Sequence, residues 1–196
     1  MRVIEIFSSI QGEGYNLGLP VVFVRFAGCN LRCSFCDTKE SWLTDYTDMT
    51  IPQIVDTCLK QGPKTVVLTG GEPCIHPEIN DLALSLKEQG FTVCVETNGT
   101  MPVPKSIDWV TCSPKADAHY MIHPDCKANE LKYVVTPDFN ADEIISEDIR
   151  NKFSECIWLQ PEGGDMSNMW KKAYEIAMND SRLRVGVQLH KIVEVK

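Results

Sequence analysis

Gly28-Cys29-Asn30-Leu31-Arg32-Cys33-Ser34-Phe35-Cys36-Asp37-Thr38 carries three cysteines at C-x3-C-x2-C spacing, directly behind an apolar run, Val21 to Ala27, that reads as a buried strand. Three thiols on one loop can face a common centre. A cubane iron–sulfur cluster is held by cysteine thiolates, and three ligands for four irons leave one iron open to another molecule. Structural zinc takes four protein ligands, often in two separated pairs, and no second Cys-x-x-Cys occurs in the chain. The other cysteines (Cys58, Cys74, Cys94, Cys112, Cys126, Cys156) are scattered without ligand spacing. Cys58, Cys94, Cys112 and Cys156 fall in apolar helix or strand patterns, where packing is the default role of a thiol. A cluster therefore stands ahead of a zinc site or of three unrelated buried cysteines, and a second cluster is not expected.

The flanking sequence alternates strands with helices. Upstream, Val3 to Phe7 reads as an edge strand, and Ser8 to Tyr15 as a Gly-punctuated loop containing Gln11-Gly12-Glu13-Gly14. That loop is either an ordinary turn or a binding loop, in which Gln11 and Glu13 supply directional hydrogen bonds. Arg25 interrupts the apolar strand. Arginine is rarely fully buried unless paired, so it has a structural carboxylate partner or grips an anion with its planar fork. Lys39 to Met49 reads as a polar connection. Thr50 caps a helix with Ile51, Ile54, Val55, Cys58 and Leu59 at helical spacing, and Gly62-Pro63 ends it. Strands follow at 65–69, 91–97, 108–112, 130–136, 156–160 and 183–189, with helices from about Pro77, over 141–153 and over 167–179. This order predicts parallel βαβ units. A complete eight-unit barrel takes about 250 residues, so the expected fold is α/β, a partial, open TIM-like barrel in one domain spanning residues 1–196.

Polar motifs gather immediately after the strands: the cysteine loop, Gly70-Gly71-Glu72-Pro73, Thr97-Asn98-Gly99, Ser113-Pro114-Lys115 and Gln160-Pro161-Glu162-Gly163-Gly164. Ligands of parallel α/β folds sit at the carboxyl ends of the strands, which makes this end the expected active site. Composition narrows the ligand. The net charge is −8, and no basic run offers a phosphate-tracking surface. A small molecule is expected, with no nucleic-acid or membrane partner. The chain shows no signal peptide and no apolar run near the roughly 18 residues of a membrane span. Its thiols are expected to be reduced and cytoplasmic.

The cysteine motif and Gly-Gly-Glu-Pro together resemble the radical S-adenosylmethionine (SAM) superfamily. Within it the chain is similar to the 7-carboxy-7-deazaguanine synthase family. The likeness is carried by Ile10 to Gly14, Phe23-Val24-Arg25, Cys36-Asp37-Thr38, Thr69 to Pro73, Glu96 to Thr100, Ser113-Pro114-Lys115 and Gln188-Leu189-His190-Lys191. The resemblance implies a radical SAM core fold and conversion of 6-carboxy-5,6,7,8-tetrahydropterin to 7-carboxy-7-deazaguanine with loss of ammonia. It also implies that Cys29, Cys33 and Cys36 hold a [4Fe-4S] cluster, with SAM chelated to the open iron and regenerated after each turnover. Phe35, Asp37, Thr38, Gly71, Glu72, Ser113, Pro114, Lys115 and Gln160 fall at cofactor positions. Ile10, Gln11, Gly12, Glu13, Arg25, Thr69, His190 and Lys196 fall at or near substrate positions. Thr38 matches a magnesium ligand, and Mg²⁺ prefers oxygen donors and keeps several waters. An electron donor such as flavodoxin or ferredoxin and a homodimeric assembly complete what the resemblance implies. Long insertions between the cysteine loop and the next strand are lacking, so any partner-binding role carried by them loses its basis. The rival readings are a small glycyl-radical-enzyme activating enzyme, which leaves Gln11, Glu13 and Arg25 without a purpose, and a non-catalytic metal-binding module.

Overall fold

The period-two alternation of the strands gives the sheet two unlike faces, and that difference positions the site. The computed structural model describes residues 1–42, 45–163 and 166–196, with only the backbone of 166 and 167. The strands are β1 (Arg2–Ile10), β2 (Pro20–Phe26), β3 (Thr47–Asp48), β4 (Thr65–Gly70), β5 (Thr92–Thr97), β6 (Trp109–Cys112), β7 (Glu130–Val135), β8 (Ile157–Pro161) and β9 (Leu183–Val185). Among the described residues they form one sheet in the order β3-β1-β2-β4-β5-β6-β7-β8-β9. From β2 onward neighbours in this order are parallel, while β1 lies antiparallel to β2 and β3. The expected open α/β arrangement of parallel units is thus the one observed, with the N-terminal hairpin closing one side.

On the outer face, Val22, Val24, Phe26, Val66, Leu68, Val93, Val95, Leu131, Tyr133, Ile157 and Leu159 are buried. Helices α1 (Ile51–Leu59), α2 (Ile79–Glu88) and α5 (Met166–Asn179) belong to this layer. Helix α1 begins where Thr50 accepts from the Gln53 amide and the Gln53 side chain returns to the Thr50 N–H at 2.8 Å, a reciprocal cap that satisfies two orphan donors. Ile54, Val55 and Cys58 then face the core, as do Ile79, Leu82, Ala83 and Leu86 of α2.

The inner face changes character along the strands. Its lower part is apolar, with Val21, Val67 and Cys94 packed beside Phe23 and Trp109. One step toward the strand ends it becomes polar, where Arg25 pairs in register with Thr69 and Glu96 with Thr111. Burial of the outer face fixes this phase, because a one-residue slip would turn every charged side chain into the core.

Four expected elements differ at a boundary by two residues or more, and the polar connection Lys39 to Met49 contains β3. The N-terminal strand extends through Ser8, Ser9 and Ile10, because these pair with Val22, Val21 and Pro20; it is also not the outermost strand, since Arg2 and Val3 pair with β3. The helix from Pro77 starts at Ile79. The helix over 141–153 is two pieces, α3 (Ala141–Ile144) and α4 (Glu147–Lys152), because Ile145 is extended and buried and Ser146 caps a new start. The final strand stops at Val185; Gly186 packs against the Gln160 side chain, and the chain leaves the sheet to form α6 (Leu189–Ile192). Gly164, counted with the loop after β8, lies outside the described residues.

Arg150 repairs the break between α3 and α4. Its buried guanidinium donates to the Ala141 and Ile145 carbonyls at 2.7 and 2.9 Å, and to Asp142 and Asp180 at 2.9 and 2.6 Å. Arg150→Ala takes this donor from the Ile145 carbonyl and leaves Asp180 with Arg182 alone, which pairs with it at 2.9 Å. The expected cost is about 2 kcal/mol, that of lost charge-assisted hydrogen bonds, read as a lower denaturation midpoint with an unchanged denaturant slope.

Candidate active site

A cavity of about 510 Å³ opens at the carboxyl ends of the strands, and the cysteine loop forms one wall of it. That loop is held by backbone rather than by packing. The Gly28 N–H donates to the Ser41 carbonyl at 2.7 Å, and the buried Ser41 hydroxyl donates to the Thr38 carbonyl at 2.7 Å. Arg32 donates to the Cys29 and Leu31 carbonyls, both at 2.7 Å, while its guanidinium lies over Trp42. Asn30 donates to Thr100 at 2.8 Å and accepts from Asn98 at 2.9 Å, fastening the loop to the turn after β5.

Gly70-Gly71 supplies the adjoining floor. Gly70 has φ +126°, and a Cβ there would strike the Phe26 backbone. A Cβ on Gly71 would fall on the Gly28 carbonyl oxygen and press on Cys29. The Gly71 and Glu72 N–H groups donate to the Phe26 and Gly28 carbonyls at 3.0 and 2.9 Å. Glu72 is fully buried and turns away from the cavity; its carboxylate accepts from the Cys74 and Asn98 N–H groups and the Thr97 hydroxyl at 3.0, 2.7 and 2.8 Å. Burial pushes this carboxyl above its ordinary range despite those bonds.

The opposite wall is a network of buried charges. Gln11 donates to Glu96 at 3.0 Å, and Thr69 donates to the other Glu96 oxygen at 2.8 Å. The Gln11 carbonyl accepts from the Glu13 N–H at 3.2 Å. Glu13 pairs with Lys132 and accepts from Gln188 at 2.6 Å. Burial pushes the Glu13 carboxyl up, but Lys132 and Gln188 outweigh it and hold it below its ordinary range. Burial pulls the Lys132 ammonium down, and Glu13 with Glu96 outweighs that and holds it above the ordinary lysine value. Gly12 is required here for space, since a Cβ would overlap the His190 ring, and its carbonyl accepts from the Leu189 N–H at 2.8 Å.

Arg25 has the carboxylate partner that one sequence reading expected, Glu5 at 2.9 Å, yet it also lines the cavity and reaches the Thr38 hydroxyl at 3.4 Å. Lys196 pairs with the same Glu5, its ammonium lies over Phe7, and its carbonyl accepts from Ser9. Lys191 approaches Asp37 at 3.8 Å.

The residues fit an iron–sulfur cluster with an anionic co-ligand. Cys29, Cys33 and Cys36 all line the cavity. Among the described residues no three His, Cys, Asp or Glu side chains converge on a single ion, whereas a cubane spreads its thiolates over different irons. The Leu31 N–H donates to Cys29 Sγ at 3.4 Å, the kind of bond that tunes such clusters. Burial pushes the Cys33 thiol up to about 12, so ionisation there calls for a bound cation. Lys115 is buried beside Ser113, donating to its carbonyl and hydroxyl at 2.8 and 2.5 Å, and among the described residues no ion pair engages it. Burial, with Lys132 nearby, pulls it down to about 8. A carboxylate such as that of SAM would stabilise its charged form. Gln160 presents a buried Oε1 without a hydrogen-bond partner.

Ile10, Phe35, Asp37, Thr38, Gly71, Ser113, His190 and the other expected residues gather in this cavity, while Glu72 and Pro114 do not line it. The sequence reading missed Lys132, Glu96, Gln188 and Ser41. Lys132 carried the same signal as Arg25, a lone cation in an apolar strand. Gln188 stood in the Gln188-Leu189-His190-Lys191 stretch that carries the resemblance, whereas Ser41 carried no signal, lying in a polar connection.

An open parallel sheet with a three-cysteine loop and a glycine pair at its strand ends is the architecture of the radical SAM superfamily, whose family model matches residues 23–111. The curated 7-carboxy-7-deazaguanine synthase of Bacteroides thetaiotaomicron is 40% identical, with 100% of this chain and 98% of that protein covered. That of Aquifex aeolicus is 36% identical over 98% and 93%. The crystal structure of QueE from Escherichia coli superposes with a TM-score of 0.76 at 29% identity, covering 96% and 94% of the two chains. The chain belongs to the 7-carboxy-7-deazaguanine synthase family. Its cofactors are accordingly a [4Fe-4S] cluster and SAM.

The backbone contact between Gly71 and Gly28 makes a direct forecast. Gly71→Ala displaces Cys29 and loses most of its iron on anaerobic reconstitution, as do Cys29→Ala, Cys33→Ala and Cys36→Ala, read from iron content and absorbance at roughly 400 nm. Cys58→Ala and Cys94→Ala keep their iron and lose about 1 kcal/mol of stability.

Proposed function

We propose that this chain converts 6-carboxy-5,6,7,8-tetrahydropterin to 7-carboxy-7-deazaguanine with release of ammonia, a radical ring contraction. The observation that supports this most is the union, in one cavity, of the three-cysteine loop with a buried wall of hydrogen-bonding charges suited to a flat, carboxylated heterocycle. Cys29, Cys33 and Cys36 hold the cluster, and Gly71, Ser113, Lys115 and Gln160 hold SAM, with Phe35 and Asp37 alongside. Bound together, these groups supply the one-electron chemistry that removes and returns a substrate hydrogen. The protein's own work is to bind, orient and exclude water. Arg25 grips the substrate carboxylate; Glu5 takes its Nε–H and neutralises part of its charge, Nη1 makes one long bond to Thr38, and the other N–H donors of the fork serve the carboxylate. Thr38 offers a hydroxyl to a Mg²⁺ ion that shares the same carboxylate. Such sharing is needed, because the Arg25 guanidinium only 3.4 Å from Thr38 would otherwise repel the ion.

Glu13 presents acceptors to the pyrimidine edge of the pterin. Gln11 makes one bond at each end of its amide within the protein, which sets Glu13 and Glu96, and its second N–H and second lone pair are left to meet the ligand. His190 and Lys196 close the wall from the C-terminal side. Among the described residues no helix is long and apolar enough to cross a membrane, and the reading places the enzyme in the cytoplasm. A donor of the flavodoxin or ferredoxin class supplies electrons, the protein acts as a homodimer, and residues 1–196 form one domain. Activation of a glycyl-radical enzyme would demand a groove for a protein loop, which leaves this charged wall without a use.

Incubation of the reduced, cluster-loaded protein with SAM and the carboxylated tetrahydropterin is the test; formation of the deazapurine is expected, and its absence removes the reading. Arg25→Ala should weaken pterin binding about ten- to a hundredfold, the worth of a charged hydrogen bond, with SAM affinity unchanged by calorimetry. Turnover should rise on addition of Mg²⁺, and Thr38→Ala should blunt that response; full activity in a Mg²⁺ chelator counts against a metal at this position.

A further inference from the structure

Lys132 lies in the cavity between its two halves. It occupies an inward-facing position of β7, between Leu131 and Tyr133, whose side chains are fully buried on the outer face. Its backbone carbonyl accepts from the Ser113 hydroxyl at 2.7 Å on the cofactor side, while its ammonium pairs with Glu13 on the substrate side. The side chains of Lys132 and Glu13 are 16% and 12% exposed, so this pair is largely shielded from water.

The neighbouring acidic groups are already engaged. Glu130, two residues earlier on the same face, accepts from the Tyr15 N–H, Trp109 Nε1 and the Thr111 hydroxyl at 2.8, 3.2 and 2.7 Å. Glu96 accepts from Gln11 and Thr69. Glu13 takes one donor on each oxygen, Lys132 and Gln188. An ionised carboxylate has about four lone-pair sites and no donor, so Glu13 keeps acceptor capacity for a ligand.

We propose that Lys132 is a positioning residue that sets substrate specificity: by pinning the Glu13 carboxylate, it makes this end of the cavity select a ligand edge with two adjacent N–H donors, as in the 2-amino-4-oxopyrimidine of a pterin, over one that presents a carbonyl there. The inference rests on the pterin reading above. Both groups on Glu13 are donors, which keeps it an acceptor. A ligand carbonyl at the same place would set lone pairs against lone pairs. Without the ammonium, burial is opposed only by the Gln188 bond. Glu13 then takes up a proton, and its new O–H donates to a carbonyl instead. Loss of Lys132 therefore changes which ligand is preferred, whereas a purely structural role would weaken both alike.

Two stable aromatic probes carry the same 6-carboxylate and differ at the deciding edge: 6-carboxypterin, with a 2-amino group, and 6-carboxylumazine, with a 2-oxo group. Their affinities are measured by calorimetry on the cluster-loaded, SAM-bound protein. The parent should prefer the pterin about ten- to a hundredfold. In Lys132→Met the ratio should fall to within about threefold of unity, with weaker pterin binding, stronger lumazine binding and unchanged SAM affinity. Lys132→Arg should keep the preference. Glu13→Gln tests the same idea if Lys132→Met fails to fold; its amide presents a donor as well as an acceptor, and the ratio should collapse with Lys132 intact. Equal weakening of both probes in Lys132→Met, or full preference in Glu13→Gln, overturns the proposal. A parent protein that makes the deazapurine while these variants keep its selectivity loses only this inference. A parent that binds SAM and neither probe loses the pterin reading and this inference together.

Discussion

The contact on which the site depends is backbone against backbone: the end of β4 lies directly on the start of the cysteine loop. Gly71 has no room for a side chain because the Gly28 carbonyl occupies that space, and Gly70 is equally close to Phe26. Two N–H donors then stitch the strands past their last regular pairing. Glu72 extends this join to β5 by binding the Asn98 N–H and the Thr97 hydroxyl from within the core. Three strand ends are thereby fixed relative to one another before any ligand is considered. A cysteine loop on an ordinary flexible turn would have no such frame, and preorganised ligands lose less freedom on binding.

Above this frame, the inner face satisfies its charges in pairs and chains. Arg25 meets Glu5, Lys132 meets Glu13, and Gln11 with Thr69 holds Glu96. A buried charge without a partner is costly, so each pairing is what permits a polar cavity inside an otherwise apolar sheet. Lys115 departs from the pattern, having among the described residues only Ser113 oxygens as partners. The place where the protein leaves a cation uncompensated is also the place where an anionic cofactor belongs.

Much of this was legible in the sequence because it depends on local rules. Short apolar runs gave the strands, Thr50 ahead of a helical apolar pattern gave a helix start, and the position of Gly, Ser, Thr and Gln after strands gave the site. What was not legible depends on distant parts of the chain. Val185, Val187 and Leu189 keep a strand's alternation, yet Gly186 turns against Gln160, and Leu189 bonds to Gly12 instead of extending the sheet. Gln11 sits in a loop that suits a ligand, and only the fold reveals that its amide is also tied to Glu96 and the Glu13 backbone. Lys132 shares its strand with the charged Glu130, whereas Arg25 is the one charged residue in Val21 to Ala27, so the Lys132 cation drew less notice.

The Gln188 bond to Glu13 spans 175 residues of chain. A ribosome makes the strands that carry the cysteines and the glycine pair early, and the C-terminal wall last. Contacts of such separation are also slow to form, because the intervening chain must be ordered first. During synthesis at about 5–20 residues per second, several seconds therefore separate emergence of the thiols from completion of the wall. The strands that carry the iron ligands and the glycine pair are thus made before the residues that close the substrate wall exist.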